Sequence, residues 1–571
     1  MSEEVRFGWI VGAIGAAALA WLWLAGALSA ALFGAGWTPV GLEGLLISAL
    51  RLPSHLGDPR LAWPRGARAA LPGAAGFYVT AAVIGVLGVL ATQRAWQAGK
   101  RFGVDDMLAG QSRRPPSARM ASARDLQRLR VPSPQPRRLT LGRSGRTLLA
   151  GEERQSVIVF APTETFKTTG FVIPALLEWE GPVLVTSVKG DLLEPTLARR
   201  QDLGQVRVFD PTRKTDTSRV ERARATPLWG ASSWDGAMRV AHWLMEAARV
   251  SETGGLQEAH FWFATAEKLV APLLFAGASK GLPISNVSRW IEEGPEANGS
   301  EVNGLLEEAG EERAMRAWRA VFGRDPRQRS SIYMTADLAM RVFADPVVAE
   351  ETSGADYSPG MLLDGRANTL YLCAPRHEQR RLRPLFSMIV QELLAVVEDL
   401  HAEKGKALDP PLLLLLDEAA NIAPVPDLAE VASTAAGQGV QLLSVFQDVA
   451  QVASRYGRQS STIVNNHAAK IVGSGISDPQ TVDYFSRIVG TGAFEQRSRT
   501  SGERGRRSRT DGETYRELAP ASVLRQAEPG TGLLIYKHLP PTKIQLRPWF
   551  REPTLRALQA SPGSSKRGGG A

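Results

Sequence analysis

Two adjacent carboxylates, Asp417 and Glu418, stand at the end of an uninterrupted apolar run, PLLLLLDEAA at residues 411–420. An apolar strand that ends in two acids is typical of the metal and water side of an ATP site. There the first acid, Asp417, holds Mg²⁺ through water, and the second, Glu418, orients and polarises the attacking water. The pattern also fits a buried strand that ends in a solvated acidic turn, so a second motif is needed to decide.

A phosphate-binding loop is predicted upstream, where residues 156–170 read SVIVFAPTETFKTTG. The order is that of a P-loop: an apolar strand, a short loop, Lys-Thr and then an apolar helix. In the pattern G-x-x-x-x-G-K-[ST], Lys167 supplies positive charge to the β- and γ-phosphates and Thr168 is a Mg²⁺ ligand. The residues predicted to bind nucleotide are those of the loop, namely Ala161, Pro162, Thr163, Glu164, Thr165, Phe166, Lys167, Thr168 and Thr169.

The loop departs from the pattern at two residues, because Ala161 and Phe166 stand where the two glycines belong. Alanine is a small change where the backbone φ is negative. Phenylalanine places a Cβ and a ring where the backbone must pass close to phosphate, and a positive φ there would favour glycine. The loop and the acidic strand together predict a P-loop fold, whereas ATP hydrolysis stays open, since nucleotide binding that is weak, altered or lost is the alternative.

The elements that must position these residues follow an α/β order. Short apolar strands and helices alternate in residues 151–227 and resume in residues 360–550, which indicates a parallel sheet. Between them, residues 228–359 contain only helical patterns, with apolar residues every three or four positions. The sequence therefore predicts a RecA-like P-loop motor domain in two pieces, interrupted by an all-α insertion domain.

The first 100 residues predict a transmembrane anchor of two helices. Residues 7–36 carry no charge and residues 71–93 form a second apolar run, each long enough for the roughly 20 residues that span a bilayer. A cleaved signal peptide is the alternative for the first run, but the start MSEEVR is not basic and the run is too long. Arginines are more numerous after the second helix than in the loop between the helices, which predicts an external loop and a cytoplasmic motor domain.

Basic residues exceed acidic ones, with a formal net charge of +9 at pH 7. Anionic lipid beside the anchor and nucleic acid both explain such an excess. The single cysteine, Cys373, excludes an internal disulfide and fits a reducing cytoplasm. Residues 101–150 predict a basic, Pro-rich linker, and residues 551–571 predict a tail.

Two blocks, residues 159–193 around the phosphate loop and residues 412–457 from the acidic strand onward, resemble the TraG-like type IV secretion coupling proteins. The resemblance, together with the two-helix anchor, covers nearly the whole chain. In that family a helix and then a strand ending in Gln follow the acidic strand, so Gln447 resembles the γ-phosphate sensor. Family members usually keep Gly before the P-loop lysine, and Phe166 departs from this.

What the resemblance implies is a homo-hexameric ATPase on the inner membrane that uses ATP and Mg²⁺. Its implied partners are a single DNA strand with a bound relaxase and the components of a type IV secretion channel. The implied localisation is the inner membrane, with more than one span and with the motor domain in the cytoplasm.

A ring motor needs a positive charge from the neighbouring subunit to stabilise the transition state. Arg455 and Arg458, just past the sensor strand, are arginine-finger candidates by position, and Arg487 is a further one. Ordinary solvated arginines are the alternative for all three. Residues 498–509, SRTSGERGRRSR, predict a disordered loop, with contact to the DNA backbone as the alternative.

Three functions remain open. The first is a conjugation coupling motor that transfers DNA or protein by hydrolysing ATP. The second is a non-hydrolysing docking scaffold in which Phe166 blocks the loop, although retention of Asp417 and Glu418 argues against it. The third is a chromosome-segregation DNA translocase, against which the two-helix anchor and the helical insertion argue.

Overall fold

The structure is a computed structural model, and it describes residues 3–36, 40–101, 118–188, 190–249, 256–354, 356–501 and 507–560. The chain divides into two units, Met1–Pro116 and Ser117–Ala571. Parts of the predicted segments lie outside the described residues: 1–2 and 37–39 of the anchor, 102–117 of the linker, 189 of the motor domain, 250–255 and 355 of the insertion domain, 502–506 of the basic run and 561–571 of the tail.

The first unit is helical. Trp63, which is 2% exposed, packs against Phe77 at a ring-centroid distance of 6.4 Å. A Cβ at Gly26 would lie 2.2 Å from the Trp63 ring, so only glycine fits at this position. Two 3₁₀ turns, Leu52–Ser54 and Pro59–Ala62, connect helices of the unit, which are α1 (Glu3–Phe33), α2 (Leu42–Arg51), α3 (Arg65–Arg68) and α4 (Ala74–Arg101).

Within the described residues, one helical segment is long and apolar enough to cross a bilayer, and it is His260–Ser279 in the second unit. Most of it, 61% of its apolar window, is buried inside the protein, as is typical of a core helix. The described apolar stretches of α1 and α4 are Ala18–Phe33 and Ala74–Gly88, which are shorter. The predicted two-span anchor therefore stays a proposal.

The second unit is built on a sheet of thirteen strands in the order β1-β3-β2-β15-β14-β11-β4-β10-β9-β5-β8-β6-β7. A separate ribbon pairs β12 with β13. The strands are β1 (Arg130–Val131), β2 (Thr140–Ser144), β3 (Thr147–Ala150), β4 (Val157–Phe160), β5 (Val183–Ser187), β6 (Val206–Phe209), β7 (Glu221–Arg222), β8 (Thr369–Cys373), β9 (Leu412–Leu416), β10 (Val440–Phe446), β11 (Ala469–Gly473), β12 (Thr491–Ser501), β13 (Arg507–Glu517), β14 (Thr531–Tyr536) and β15 (Thr542–Gln545).

Neighbouring strands from β11 to β7 in this order are all parallel, and those from β14 to β1 pair antiparallel. The phosphate-loop strand β4 lies between β11 and β10, and the acidic strand β9 follows on the other side of β10. All five leucines of β9 are fully buried, as expected of a parallel strand covered on both faces. The carboxyl ends of β4, β10 and β9 therefore meet at one edge of the sheet.

Helices cover both faces of this sheet and continue beyond it. A π-helical turn, Thr168–Val172, leads from the phosphate loop into the first of them. The helices are α5 (Ile173–Glu178), α6 (Leu193–Leu203), α7 (Trp234–Ala248), α8 (Leu256–Ser279), α9 (Ile284–Glu293), α10 (Pro295–Ala309), α11 (Glu312–Phe322), α12 (Pro326–Met340), α13 (Pro346–Glu351), α14 (Pro359–Leu362), α15 (Gln379–Lys404), α16 (Leu428–Gln438), α17 (Val449–Tyr456), α18 (Ser460–Asn466), α19 (Pro479–Val489), α20 (Ala521–Arg525) and α21 (Pro553–Gln559).

Helices alone fill the described chain between β7 and β8, where α7 to α14 follow one another with short 3₁₀ turns. Their apolar side chains join one buried cluster with one face of the central sheet, which includes Phe160 and Leu414. The other face, with Val159 and Leu415, belongs to a second cluster. The alternation of strand residues between two cores explains the continuous apolar sequence of these strands.

The predicted linker is shorter than residues 101–150, because β1, β2 and β3 occupy its second half. These strands join the large sheet through β15, where Arg143 pairs with Gln545. The sequence of this stretch is rich in Arg and Pro, but Leu139, Leu141 and Leu149 are buried. Such strands are stabilised by a partner about 400 residues away, which local composition does not indicate.

The predicted tail also begins later than residue 551. Helix α21 covers residues 553–559, and its Leu555 is fully buried. The described residues of the predicted loop at 498–509, which are 498–501 and 507–509, are paired strands, since β12 and β13 form an antiparallel ribbon with Ser501 opposite Arg507. Alternating Thr, Ser and Arg suits a strand as well as a loop, so charge alone misled the prediction.

Candidate functional site

The phosphate loop leaves the carboxyl end of β4 and is fixed by backbone contacts. Ala161 donates its backbone N–H to the carbonyl oxygen of Phe446 on β10 at 3.1 Å. Thr165 Oγ1 donates to the carbonyl oxygen of Pro162 at 2.8 Å, which closes the loop on itself. The Ala161 methyl group is accommodated by β11, since a Cβ at Gly473 would lie 2.8 Å from Ala161 Cβ. Alanine is therefore tolerated in place of the first glycine.

The second departure, Phe166, has a left-handed backbone with φ of +63°. Its ring is partly buried. It packs against Phe550, with ring centroids 6.3 Å apart, and Arg551 Cζ lies 5.1 Å from its centroid. The backbone thus adopts a conformation that glycine would favour, while the side chain packs on residues near the C-terminal end of the fold.

Lys167 is buried, with 7% of its surface exposed. Its Nζ has no hydrogen-bond partner among the described residues. A buried ammonium group without a partner is unfavourable unless a ligand compensates it, and Lys167 is therefore suited to an anion such as phosphate.

Asp417 follows β9 and is also buried, at 5% exposure. Thr186 Oγ1 on β5 donates to its backbone carbonyl oxygen at 2.9 Å, which fixes the chain at this point. The Oδ1 atom of Asp417 has no hydrogen-bond partner within the described part of the chain. Burial raises the pKa of Asp417 to about 6, against the opposing effects of Lys167 and of a hydrogen bond from Thr168.

Glu418 is buried as well and has a left-handed backbone with φ of +54°. Asn421 Nδ2 donates to Glu418 Oε2 at 3.3 Å, and Arg376 Nη2 lies 3.6 Å from Glu418 Oε1. Non-glycine residues in this conformation are uncommon and occur often at functional sites. One carboxylate is thus held from two sides at the edge of the sheet.

Gln447 directly follows β10, the strand between those that carry Lys167 and Asp417. Its backbone N–H donates to Gln451 Oε1 at 3.0 Å. Its side chain is partly exposed. Gln447 thus lies at the same edge of the sheet as Lys167 and Asp417, and its sensor role stays a prediction.

The arginine-finger candidates differ in their surroundings. Arg455 lies in α17 and is half-buried, and its Nη1 donates to the carbonyl oxygen of Arg249 at 2.9 Å. Burial lowers its pKa. Arg458, in a 3₁₀ turn after α17, and Arg487, in the last turn of α19, are exposed. An arginine that acts on a neighbouring subunit must be accessible, which favours Arg458 over Arg455.

Three residues around the two acids were not predicted from the sequence: Thr186, Arg376 and Asn421. Thr186 lies near the carboxyl end of β5, and Arg376 comes shortly after the carboxyl end of β8. Polar residues at the ends of parallel strands are a signal that could have found the first two. Asn421 lies one turn after Glu418, and nothing in its sequence context marks it.

The donor set fits a magnesium nucleotide. Lys167 offers a buried ammonium group and Asp417 a buried carboxylate oxygen, neither with a hydrogen-bond partner in the described part of the chain, and Thr168 offers a hydroxyl group. Oxygen ligands are those that Mg²⁺ prefers, and it is commonly bound by one or two side chains together with substrate phosphates. Glu418 is placed beside Asp417 and could orient water. The arrangement suits phosphoryl transfer to water.

Comparison with known families gives one match over most of the chain. Residues 122–567 match the family described as Type IV secretory system conjugative DNA transfer. The matched range contains the phosphate loop, the acidic strand and α21.

Curated relatives agree with this match. Protein VirD4 of Rhizobium rhizogenes is 24% identical over 423 residues, which cover 72% of this chain and 61% of that protein. Conjugal transfer protein TraG of Escherichia coli is 24% identical over 460 residues, which cover 72% of this chain and 69% of that protein. The chain thus spans about three fifths of the length of the VirD4 relative.

Solved structures show the same fold. The bacterial conjugative coupling protein TrwBdeltaN70 superposes with a TM-score of 0.59 at 17% identity, covering 76% of this chain and 93% of that chain. Plasmid coupling protein TrwB in complex with ADP and Mg²⁺ gives a TM-score of 0.57 at 18% identity, covering 76% and 94%. The second unit therefore has the α/β P-loop fold with a large mixed sheet.

Proposed function

Because the chain belongs to the type IV secretory system conjugative DNA transfer family, we propose that it is a coupling protein that drives DNA, or protein, into a secretion channel by hydrolysing ATP. The single observation that carries the ATPase part is the pair of buried, unpartnered atoms, Lys167 Nζ and Asp417 Oδ1, found among the described residues. Opposite charges whose polar atoms lack hydrogen-bond partners among the described residues, at the carboxyl edge of a parallel sheet, suit a phosphate chain and its metal.

Each predicted site residue has a role in this proposal. Lys167 binds the β- and γ-phosphates, and Thr168 and Asp417 hold Mg²⁺, directly or through water. Glu418 orients the attacking water. The Glu418 carboxylate is itself held by a hydrogen bond of 3.3 Å from Asn421 Nδ2. Gln447 senses the γ-phosphate. The other loop residues, 161–166 and 169, surround the phosphates with backbone groups.

ATP and Mg²⁺ are the proposed cofactors. The relatives supply independent support, because TrwB has been solved with ADP and Mg²⁺ and with a non-hydrolysable ATP analogue. When bound, the metal would supply charge stabilisation for the transferred phosphoryl group.

The remaining assignments extend the proposal to the whole molecule. Helices α1 and α4 form an anchor in the inner membrane, with the motor domain in the cytoplasm. Residues 228–359 act as an all-α domain inserted in a RecA-like motor. Six copies form a ring, in which Arg458 of one copy completes the site of its neighbour, and the cargo is single-stranded DNA with its relaxase.

Two other functions are less well supported. The docking scaffold requires Phe166 to block the loop, yet its ring packs against Phe550 and leaves Lys167 unpartnered within the described residues. The chromosome-segregation translocase is not favoured, because the family match, the TraG relative and the TrwB structure all concern conjugation.

The test is Mg²⁺-ATP binding and turnover by the full chain in detergent micelles, with and without single-stranded DNA. We expect DNA-stimulated turnover that Glu418→Gln abolishes, by at least about 100-fold, while ATP binding is retained. Lys167→Ala should weaken binding itself. Glu430→Gln, on the exposed face of α16, is the matched control. Turnover that survives Glu418→Gln would overturn the assignment of that residue, and absence of ATP binding would overturn the motor.

A further inference from the structure

The backbone conformation of Phe166, with φ of +63°, is energetically unfavourable. A left-handed conformation is unfavourable for a residue with a Cβ, and it persists where the surroundings hold it in place. Glu164, two residues earlier, is also left-handed, with φ of +65°. The phosphate loop therefore contains two non-glycine residues in this conformation, directly before the lysine that binds phosphate.

The side chain of Phe166 is held by residues far along the chain. Phe550 packs against its ring at 6.3 Å with the ring planes inclined by 48°. The Arg551 guanidinium lies over both rings, with Cζ 5.1 Å from the Phe166 centroid and 5.7 Å from the Phe550 centroid. Gly530 completes the contact, since a Cβ there would lie 3.5 Å from Phe166 Cδ2. An aromatic pair that shares one guanidinium gains both packing and cation–π attraction.

Phe550 and Arg551 belong to the C-terminal segment, residues 546–552, which is itself bonded to the helix that the loop begins. Arg547 donates its backbone N–H to the carbonyl oxygen of Gly170 at 2.9 Å. Its side chain is 2% exposed and pairs with Glu178 at 2.7 Å and Glu552 at 2.9 Å. Glu178 ends α5, the helix that continues from Lys167 and Thr168.

The segment thus contacts the phosphate loop on both sides of Lys167, at Phe166 and at Gly170. A backbone hydrogen bond also joins these two residues, since Gly170 N–H donates to the carbonyl oxygen of Phe166 at 2.7 Å. A shift of the C-terminal segment would therefore move the loop.

We propose that Phe550 and Arg551 are positioning residues for nucleotide binding, acting through the Phe166 ring. They hold the loop in the left-handed, phosphate-binding conformation that glycine adopts unaided in the usual pattern. The proposal rests on the proposed function, that the loop binds Mg²⁺-nucleotide. It extends the proposed function, because two residues outside the nucleotide site determine nucleotide affinity. They do so only because phenylalanine, and not glycine, stands at position 166.

The test is a double-mutant cycle on Mg²⁺-ADP affinity, measured by calorimetry on the full chain in detergent micelles. Phe550→Ala and Arg551→Ala are each made alone and combined with Phe166→Gly. We expect each single variant to weaken affinity about five- to tenfold, from the usual strength of aromatic and cation–π contacts. In the Phe166→Gly background the same changes should alter affinity by less than about twofold, since glycine needs no support.

Conservative variants separate positioning from general structure. Phe550→Tyr retains the ring and should retain affinity. Arg551→Lys loses the planar guanidinium and should weaken binding. Val523→Ala, an exposed apolar change on α20, is the control, and thermal melting checks that each variant is folded.

The outcomes are distinct. Equal weakening by the C-terminal variants with and without Phe166→Gly would overturn the inference and leave the proposed function intact. Unchanged affinity in both Phe550→Ala and Arg551→Ala would do the same. Absence of Mg²⁺-ADP binding by the native chain would overturn both, and affinity gained on Phe166→Gly from such a chain would show that the ring blocks the loop.

Discussion

Thr186 Oγ1 on β5 donates a hydrogen bond of 2.9 Å to the backbone carbonyl oxygen of Asp417, and both residues are buried. The hydrogen bond joins two adjacent parallel strands at the point where β9 ends and the acidic pair begins. It fixes the direction in which the Asp417 carboxylate leaves the sheet. A residue with no place in the proposed chemistry thereby sets the geometry of the proposed metal ligand, Asp417.

Thr186→Val tests this relationship, because valine keeps the shape of the side chain and removes the donor. We expect the Mg²⁺ concentration for half-maximal ATP turnover to rise about tenfold, as is usual when a residue behind a metal ligand is changed. The free energy of unfolding should fall by about 1–2 kcal/mol, since a buried carbonyl loses its partner. Thr434→Val, which removes an exposed hydrogen bond on α16, should change neither quantity. An unchanged Mg²⁺ dependence would contradict the role.

Glu418 is held by Asn421 on one oxygen and lies close to Arg376 on the other. Asn421→Ala should lower kcat about tenfold at nearly constant KM, because the carboxylate loses its orientation while the nucleotide contacts remain. Arg376→Ala should have a smaller effect, of about two- to threefold, since that side chain is 66% exposed and its charge is screened by solvent. Steady-state kinetics against ATP separate these quantities. A change in KM alone would show that Asn421 acts on binding instead.

Arg547 carries a buried ion-pair network that joins α5 to the C-terminal segment. Arg547→Met leaves the buried Glu178 carboxylate without its cation and leaves Glu552 paired with Arg143 alone. The free energy of unfolding of the second unit should therefore fall by about 3–5 kcal/mol. Arg143→Met is the comparison, because Arg143 pairs with Glu552 from a side chain that is 36% exposed, and its loss should cost less than about 1 kcal/mol. Denaturant unfolding followed by tryptophan fluorescence measures both. Equal losses of unfolding free energy in Arg547→Met and Arg143→Met would contradict the view that burial makes the Arg547 ion pairs the more important ones.

Glu392 on α15 predicts a pH dependence of stability. Burial raises its pKa to about 8, against the effect of the Gly230 backbone amide, and its Oε1 has no partner among the described residues. The folded chain therefore holds a proton that the unfolded chain releases at about pH 4.5. Stability from this group is full below about pH 4.5 and is lost as the pH rises through about 8.

Glu392→Gln removes that titration. Between pH 5 and pH 8 the native chain should lose about 3–4 kcal/mol more stability than the variant, measured by denaturant midpoints. Glu398→Gln, on the same helix, is the control and should follow the native curve. Parallel curves for native chain and Glu392→Gln would show that Glu392 is already ionised in the folded protein.

The positions of the candidate site residues could be predicted from local sequence because each motif is local. A P-loop is a strand, a turn and a helix, so Lys167 and Thr168 are identified by their neighbours. The acidic pair is identified by the leucines before it, since a strand buried on both faces must be continuously apolar. The family resemblance then related Gln447 to the same site, and the structure places it at the same edge of the sheet.

Other features depend on partners distant in sequence. Nothing near residues 140–150 shows that β2 will pair with β15, and nothing near residue 553 shows that Leu555 will be buried. For the same reason, the sequence alone did not decide whether the Phe166 side chain fits in the phosphate loop or blocks it. The side chain is accommodated by Phe550 and Arg551, almost 400 positions later.

The bonding of the C-terminal segment to α5 has a consequence for the order of folding. Residues 542–552 are synthesised after every other strand of the sheet. Nevertheless, β2 joins the sheet only through β15. Residues 547–551 also contact the phosphate loop and the turn after it, at Phe166 and at Gly170. A nascent chain can therefore assemble its central parallel strands before its nucleotide site is complete. Under the proposed function, competence to bind nucleotide would then be acquired only after residues 547–551 have been synthesised.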